Sequence, residues 1–159
     1  MKYLIKIVAL FFIFFTLSSC TASIKIPPDL QITLERQGCF GTCPVYSIYI
    51  DARGNVVYEG ERAVAIEGTR TTTIDEKQLH ELVSMFQETN FFSLEDNYIA
   101  PAFDLPSTKT SLTMNGQSKT ITNYGIGCEP EYGPAPQELC ALETFIDDIV
   151  NVAQWVNEQ

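Results

Sequence analysis

Residues 38–51 read Gly-Cys-Phe-Gly-Thr-Cys-Pro-Val-Tyr-Ser-Ile-Tyr-Ile-Asp. Cys39 and Cys43 sit four apart, with Gly38 and Gly41 beside them and Pro44 directly after. From Val45 the pattern changes. Tyr46, Ile48 and Ile50 share one face at the two-residue period of a half-buried strand. Upstream, Leu30, Ile32 and Leu34 do the same. A loop that two cysteines can clasp therefore joins two strands, and the glycines permit the positive φ values a tight closure needs.

Downstream, Asp51 to Asn55 is a turn with Gly54 placed for a bulge, and Val56 to Arg62 returns as a strand. Ala63 to Glu67 either extends it or makes a short strand of its own, and the β-branched run Arg70 to Ile74 adds another. Asp75 and Gln78 form a capping-box pattern, with Ile74 and Leu79 as the hydrophobic staple. The helix they start buries Leu79, Leu82, Val83 and Phe86, and Phe91 and Phe92 close its end against the core. Glu95 to Pro106 reads as a long irregular loop. Thr108 to Met114 and Gln117 to Tyr124 flank Asn115-Gly116, a strong hairpin signal. Tyr124 to Pro136 is a second long loop. Pro136 suits the first turn of a last helix that runs to about Val150, with its apolar arc on Leu139, Leu142, Phe145, Ile146, Ile149 and Val150. The order strands, helix, hairpin, helix predicts an α+β domain over residues 30–159. Its antiparallel β-sheet has about five or six strands, with two helices packed on one face.

The N-terminus carries different information. Met1 to Lys6 holds two lysines, and Ile7 to Leu17 is an eleven-residue run, apolar apart from Thr16. As a helix it spans roughly 16 Å, too short for a hydrocarbon core of about 30 Å. A basic start, a short apolar run and small residues describe a secretory signal over residues 1–19. Leu17-Ser18-Ser19-Cys20 resembles the lipobox of bacterial lipoproteins. That resemblance implies cleavage before Cys20 and lipid on its sulfur, with two or more acyl chains giving a stable anchor. Thr21 after the cysteine resembles the class sorted to the outer membrane. Residues 20–29 then form the lipidated start and a tether ending in Pro27-Pro28. Its nine residues after Cys20 reach about 30 Å at most, so the domain is expected to ride close to the membrane.

Five cysteines minus Cys20 leave Cys39, Cys43, Cys128 and Cys140. An even remainder in an exported domain reads as disulfides. Three connectivities exist, and the two local ones, Cys39–Cys43 and Cys128–Cys140, are favoured. In the chain-entropy model the two loops contribute about 2 and about 3 kcal/mol.

Charge narrows the partners. Lys2 and Lys6 are the only charged residues before Cys20, so the rest holds 8 basic and 20 acidic residues, a net −12. Such a surface repels phosphate backbones and argues against nucleic acid. Catalytic signatures are also missing. The one histidine, His80, lies with Glu76, Ser84 and Gln87 on the polar side of the first helix. There is no GxSxG, HExxH, P-loop or GxGxxG after a strand, and multi-histidine metal sites are excluded. The carboxylate pairs Glu59/Glu61, Glu95/Asp96, Glu129/Glu131 and Asp147/Asp148 read as solvated surface. Asp104, between Phe103 and Leu105, reads as a brace for its loop. No metal and no cofactor are called for, and the balance leans against an enzyme.

The stretches ITLERQGCFGTCPVYSIYID, G-x-VVYEGER, FFSLEDNY and DLPSTKTSL resemble a bacterial family known only as a domain of unknown function, from Ile32 to about Trp155. That resemblance implies an exported, often lipid-anchored α+β domain with the first cysteine pair as its hallmark, and no established activity. Cys39 to Pro44 also resembles the C-x-x-x-C-P motif of Sco-type copper proteins. That family has a thioredoxin-like fold, a helix after the motif and a distant histidine ligand, and the order of elements here departs from it.

The expectation is therefore a lipoprotein of the bacterial cell envelope, anchored through lipid on Cys20 and facing the periplasm from the outer membrane. It acts as a non-enzymatic binding or accessory domain for an envelope protein partner. Tyr98, Phe103, Asp104 and Tyr132, on the two long loops, are the candidate contact residues. The alternative is a thiol-redox or copper-binding protein that uses Cys39 and Cys43.

Overall fold

The computed structural model describes residues 25–126, 128 and 133–157. The signal segment, Cys20, Glu129, Glu131 and Tyr132 lie outside the described residues. Seven strands form one sheet: β1 (Gln31–Gln37), β2 (Val45–Asp51), β3 (Asn55–Arg62), β4 (Gly68–Thr73), β5 (Asn97–Ile99), β6 (Ser107–Met114) and β7 (Gln117–Tyr124). Their order across the sheet is β4-β3-β2-β1-β6-β7-β5. Three helices accompany them: α1 (Glu76–Glu88), α2 (Gln137–Val150) and the four-residue α3 (Ala153–Val156).

The mixed α+β class agrees with the sequence pattern, but the sheet is larger than five or six strands. The added strand is β5, three residues inside the stretch expected to be irregular, and it pairs parallel to β7. Three residues are too few to display a period. Its partner is reached only because α1 carries the chain from edge strand β4 to the opposite edge. Ala63 to Glu67 is not strand. Ala63 turns the chain at φ 52°, and Ala65 and Ile66 donate instead to the carbonyls of Val156 and Trp155. Pro136 stands one residue before α2, at its N-cap.

Turn chemistry fixes the register. Asn115 and Gly116 both take positive φ, 55° and 75°, as a two-residue hairpin requires. Asp51 Oδ1 accepts from the backbone N–H of Arg53 and Asn55 and closes the β2–β3 turn. The capping box at α1 is present in both directions. One face of the sheet is apolar and buried: Ile32 and Leu34 on β1, Tyr46, Ile48 and Ile50 on β2, Val56 and Tyr58 on β3, Leu112 on β6 and Ile121 on β7. They share one core with Leu79, Leu82, Val83 and Phe86 of α1 and Leu139, Leu142, Ile146 and Val150 of α2. Each such side chain contributes about 1.5–3 kcal/mol on leaving water. Trp155 of α3 stacks on Tyr58 at 4.8 Å between centroids. The other sheet face is rich in Thr, Ser and Glu and lies open.

The two ends of the sheet differ. At one end, Asp29 Oδ1 and Oδ2 accept from the backbone N–H of Asn115 and Gly116. The N-terminal segment therefore enters against the β6–β7 hairpin tip. Seven residues along β1, about 23 Å further, lies the other end. The loops 38–44 and 100–106 gather there with Gly125 and Ile126 after β7.

Candidate functional site

The inward alternation of β1 continues past Leu34 to Arg36, so a guanidinium enters the sandwich at the far end of the sheet. Four hydrogen bonds hold it. Nε and Nη2 donate to Asp147 Oδ2 at 3.2 and 2.7 Å, Nη2 to the Glu143 carbonyl at 3.1 Å, and Nη1 to Thr108 Oγ1 at 2.8 Å. Tyr46 of β2 donates its hydroxyl to Asp147 Oδ1 at 2.9 Å. Glu143, one helical turn before Asp147, accepts from Asn123 Nδ2 at 3.1 Å and Thr110 Oγ1 at 3.4 Å. Strands β1, β2, β6 and β7 are thereby tied to one face of α2.

The two carboxyls are unequal. Asp147 lies 2.7 Å from Arg36, whereas Glu143 Oε2 is 3.9 Å from it and its side chain is only 3% exposed. Burial pushes the Glu143 carboxyl above its usual range, against the pull of Arg36 and of the Asn123 and Thr110 bonds. Burial also raises Asp147, opposed first by Arg36. Burial and the adjacent Asp147 carboxylate raise the Tyr46 hydroxyl well beyond its ordinary range. Arg36 with Asp147 is the ion pair of the cluster, and Glu143 is the group that is costly to ionise.

A cleft of about 300 Å³ opens beside this cluster, lined by Arg36, Pro44, Tyr46, Pro106, Asn123 and Glu143 among others. Asn123 is 5% exposed. Its Oδ1 has no hydrogen-bond partner among the described residues. The Asn123 amide is oriented by its Nδ2, which donates to Glu143 and lies 3.7 Å from Cys140 Sγ.

The rim around the cleft is apolar and exposed. Phe40 is 88% and Phe103 93% exposed, and Ile126 is also open to solvent; they stand on the loops whose Pro44, Pro106 and Gly125 line the cleft. Phe40 N–H donates to the Asp104 carbonyl at 3.1 Å, which locks the two loops together. Asp104 holds a positive φ of 62° there, so its backbone braces the loop while its side chain points to solvent. The disulfide Cys39–Cys43 closes the first loop, and Cys128–Cys140 fastens the segment after β7 to α2. Of the three connectivities, the structure has the two local ones. Strand β2 follows Cys43 directly, without a helix to activate its sulfur.

The sequence-derived contact residues are split by the fold. Phe103 and Asp104 stand on the rim. Tyr98 sits on β5, half-buried against the core, and its hydroxyl accepts from Glu95 N–H. His80 is remote from the cleft, with Nε2 3.7 Å from Glu76 Oε1. Asp147 corrects the expectation of solvated carboxylate pairs: it is an internal ligand of Arg36 and Tyr46, and Asp148 is the outward member. The cluster itself went unread. Its signal was polar residues at inward positions: Arg36 on β1, Thr108 and Thr110 on β6, Asn123 on β7, and Glu143 beside Leu142 on α2.

Among the described residues no group of three His, Cys, Asp or Glu side chains is placed to hold a metal ion. A family model described as a domain of unknown function, DUF6438, matches residues 30–150. No curated protein matches the chain.

Proposed function

The chain belongs to the DUF6438 family of domains of unknown function, and from that premise we propose that it is a lipid-anchored envelope protein whose distal end binds a protein partner. The observation that carries this reading is the opposition of the two ends of the sheet. The N-terminal segment leaves beside Asn115 and Gly116. The exposed Phe40 and Phe103 and the polar cleft lie at the far end. With lipid on Cys20, the tether end faces the membrane and the rim faces away from it.

The composition of that end also favours binding over catalysis. Two exposed phenylalanines stand on the loops beside a cleft with a few convergent polar groups, the anatomy of a protein contact with a central anchor pocket. The open face of the sheet exposes Tyr49 and Val57 on β2 and β3 and Ile99 at the opposite edge on β5, with no continuous apolar patch joining them, which favours the rim as the contact.

Native gel migration of the full chain, solubilised gently from membranes, tests the reading. The wild type is expected to run in a complex larger than its monomer. Phe40→Ser with Phe103→Ser is expected to return it to the monomer, and Tyr49→Ser with Val57→Ser to leave the complex intact. An unchanged complex in the rim variant, or its loss in the open-face variant, overturns the reading.

A further inference from the structure

The polar floor of the distal cleft is built to accept hydrogen bonds. Asp147, the Glu143 carbonyl and Thr108 accept four hydrogen bonds from Arg36, which turns most of the guanidinium into the fold and leaves one Nη1 N–H without a partner among the described residues. The unfilled acceptor is Asn123 Oδ1, in a side chain only 5% exposed. A buried acceptor without a donor is a cost that an incoming N–H removes. Glu143 lines the same cleft. With Asp147 it places two carboxyls against the single cation Arg36, so the cluster is anionic when both ionise. An anionic ligand finds one unpaired Nη1 N–H of Arg36 there and is repelled by the Asp147 and Glu143 carboxyls on either side of that guanidinium. A cationic donor in the cleft offsets the burial of Glu143, and it satisfies Asn123 Oδ1 once that buried oxygen turns to the cleft that Asn123 lines. The net charge of −12 outside the signal segment draws cations towards the domain from a distance.

We infer that the cleft is a subsite for a cationic hydrogen-bond donor, an alkylammonium or guanidinium group, presented as a lysine or arginine side chain of the partner. This rests on the reading of the distal end as the binding end. The exposed Phe40, Phe103 and Ile126, on the loops whose Pro44, Pro106 and Gly125 line the cleft, fit apolar residues flanking that basic side chain. A cation held against aromatic faces gains further from the ring quadrupole.

Titration of the isotope-labelled full chain, following the Asn123 side-chain amide by NMR, tests this. The probes are n-butylammonium, n-butylguanidinium, butyramide, butyrate and the capped tripeptide Leu-Lys-Leu. Saturable shifts of the Asn123 amide are expected with the two cations, at least about tenfold weaker with butyramide, and none with butyrate. The tripeptide is expected to bind at least about tenfold more tightly than n-butylammonium, through contacts with the rim. Glu143→Gln is expected to weaken the cations about tenfold and butyramide little. Butyrate or butyramide binding as tightly as the cations, or no saturable shift with any probe, overturns the cationic assignment. The distal-end reading is then still judged separately, by native gel migration. A tripeptide no tighter than the free amine overturns the side-chain source.

Discussion

Arg36 Nη2 and Asp147 Oδ2 meet at 2.7 Å across 111 positions of sequence, and this contact ties the far end of β1 to α2. The Arg36 side chain is a quarter exposed and that of Asp147 16%, so water only partly screens the pair. Removing one partner leaves the other charge poorly solvated.

Arg36→Met is therefore expected to destabilise the domain by about 3 kcal/mol at neutral pH in urea unfolding, near the low end for breaking a buried ion pair. The loss is expected to shrink towards pH 4, where Asp147 and Glu143 take up protons and no longer need the guanidinium. An equal loss at both pH values, or a neutral variant, would contradict the cluster as described.

Glu143 gives a prediction of the opposite sign. Its carboxyl is raised above the ordinary 4.5, first by burial. The folded state therefore holds the proton more tightly than the unfolded chain. The stabilisation is full below pH 4.5 and is lost as pH rises through the folded value. Glu143→Gln keeps an acceptor for Asn123, lets its amide N–H donate to Thr110 Oγ1 in place of accepting from it, and removes the ionisation. The variant is expected to be more stable than wild type by about 1 kcal/mol at pH 7. That difference should fade towards pH 4. A variant less stable than wild type at pH 7 would mean that the ionised Glu143 is favourably paired with Arg36.

Why the cluster was hidden while the sheet was plain has a physical cause. Alternation shows which face of a strand is buried, and Leu30, Ile32 and Leu34, with Tyr46, Ile48 and Ile50, occupy the core as the period requires. Asn115-Gly116 and Asp75 with Gln78 are local devices, legible because both partners lie within a few residues. The cluster is assembled from β1, β2, β6, β7 and α2, and its members qualify as surface polar residues until the strands are ordered. Strand β5 was hidden for a related reason: its partner is distant and its length gives no period. Phe103 was legible as a loop aromatic. Its neighbour Phe40 was not, because the Phe40–Asp104 backbone bond joins loops more than sixty residues apart.

The two disulfides are expected to act on stability through the unfolded chain. Paired serine substitutions at Cys39 and Cys43 are expected to cost about 2 kcal/mol, and those at Cys128 and Cys140 about 3 kcal/mol, in denaturant unfolding. A native state unaffected by loss of either pair would remove them as stabilising clasps. Stable uptake of Cu(I) by the reduced Cys39/Cys43 pair would instead favour the metal-binding alternative.

Lipidation is tested at one residue. Metabolic labelling with a palmitate analogue is expected to mark the wild type and to spare Cys20→Ala, which should also leave the membrane fraction. Equal label on both, or none on the wild type, removes the anchor from the account.

The central claim is that the end of the sheet remote from the N-terminus makes the functional contact. Photoreactive residues placed at Phe40 or Phe103 in living cells test it most directly, with Arg53, in the β2–β3 turn at the opposite end, as the control. Both rim positions are highly exposed, so the replacements should leave stability within about 0.5 kcal/mol. The expected result is one discrete cross-linked species shared by Phe40 and Phe103 and absent from Arg53. No adduct from the rim, or equal adducts from Arg53, would contradict the claim.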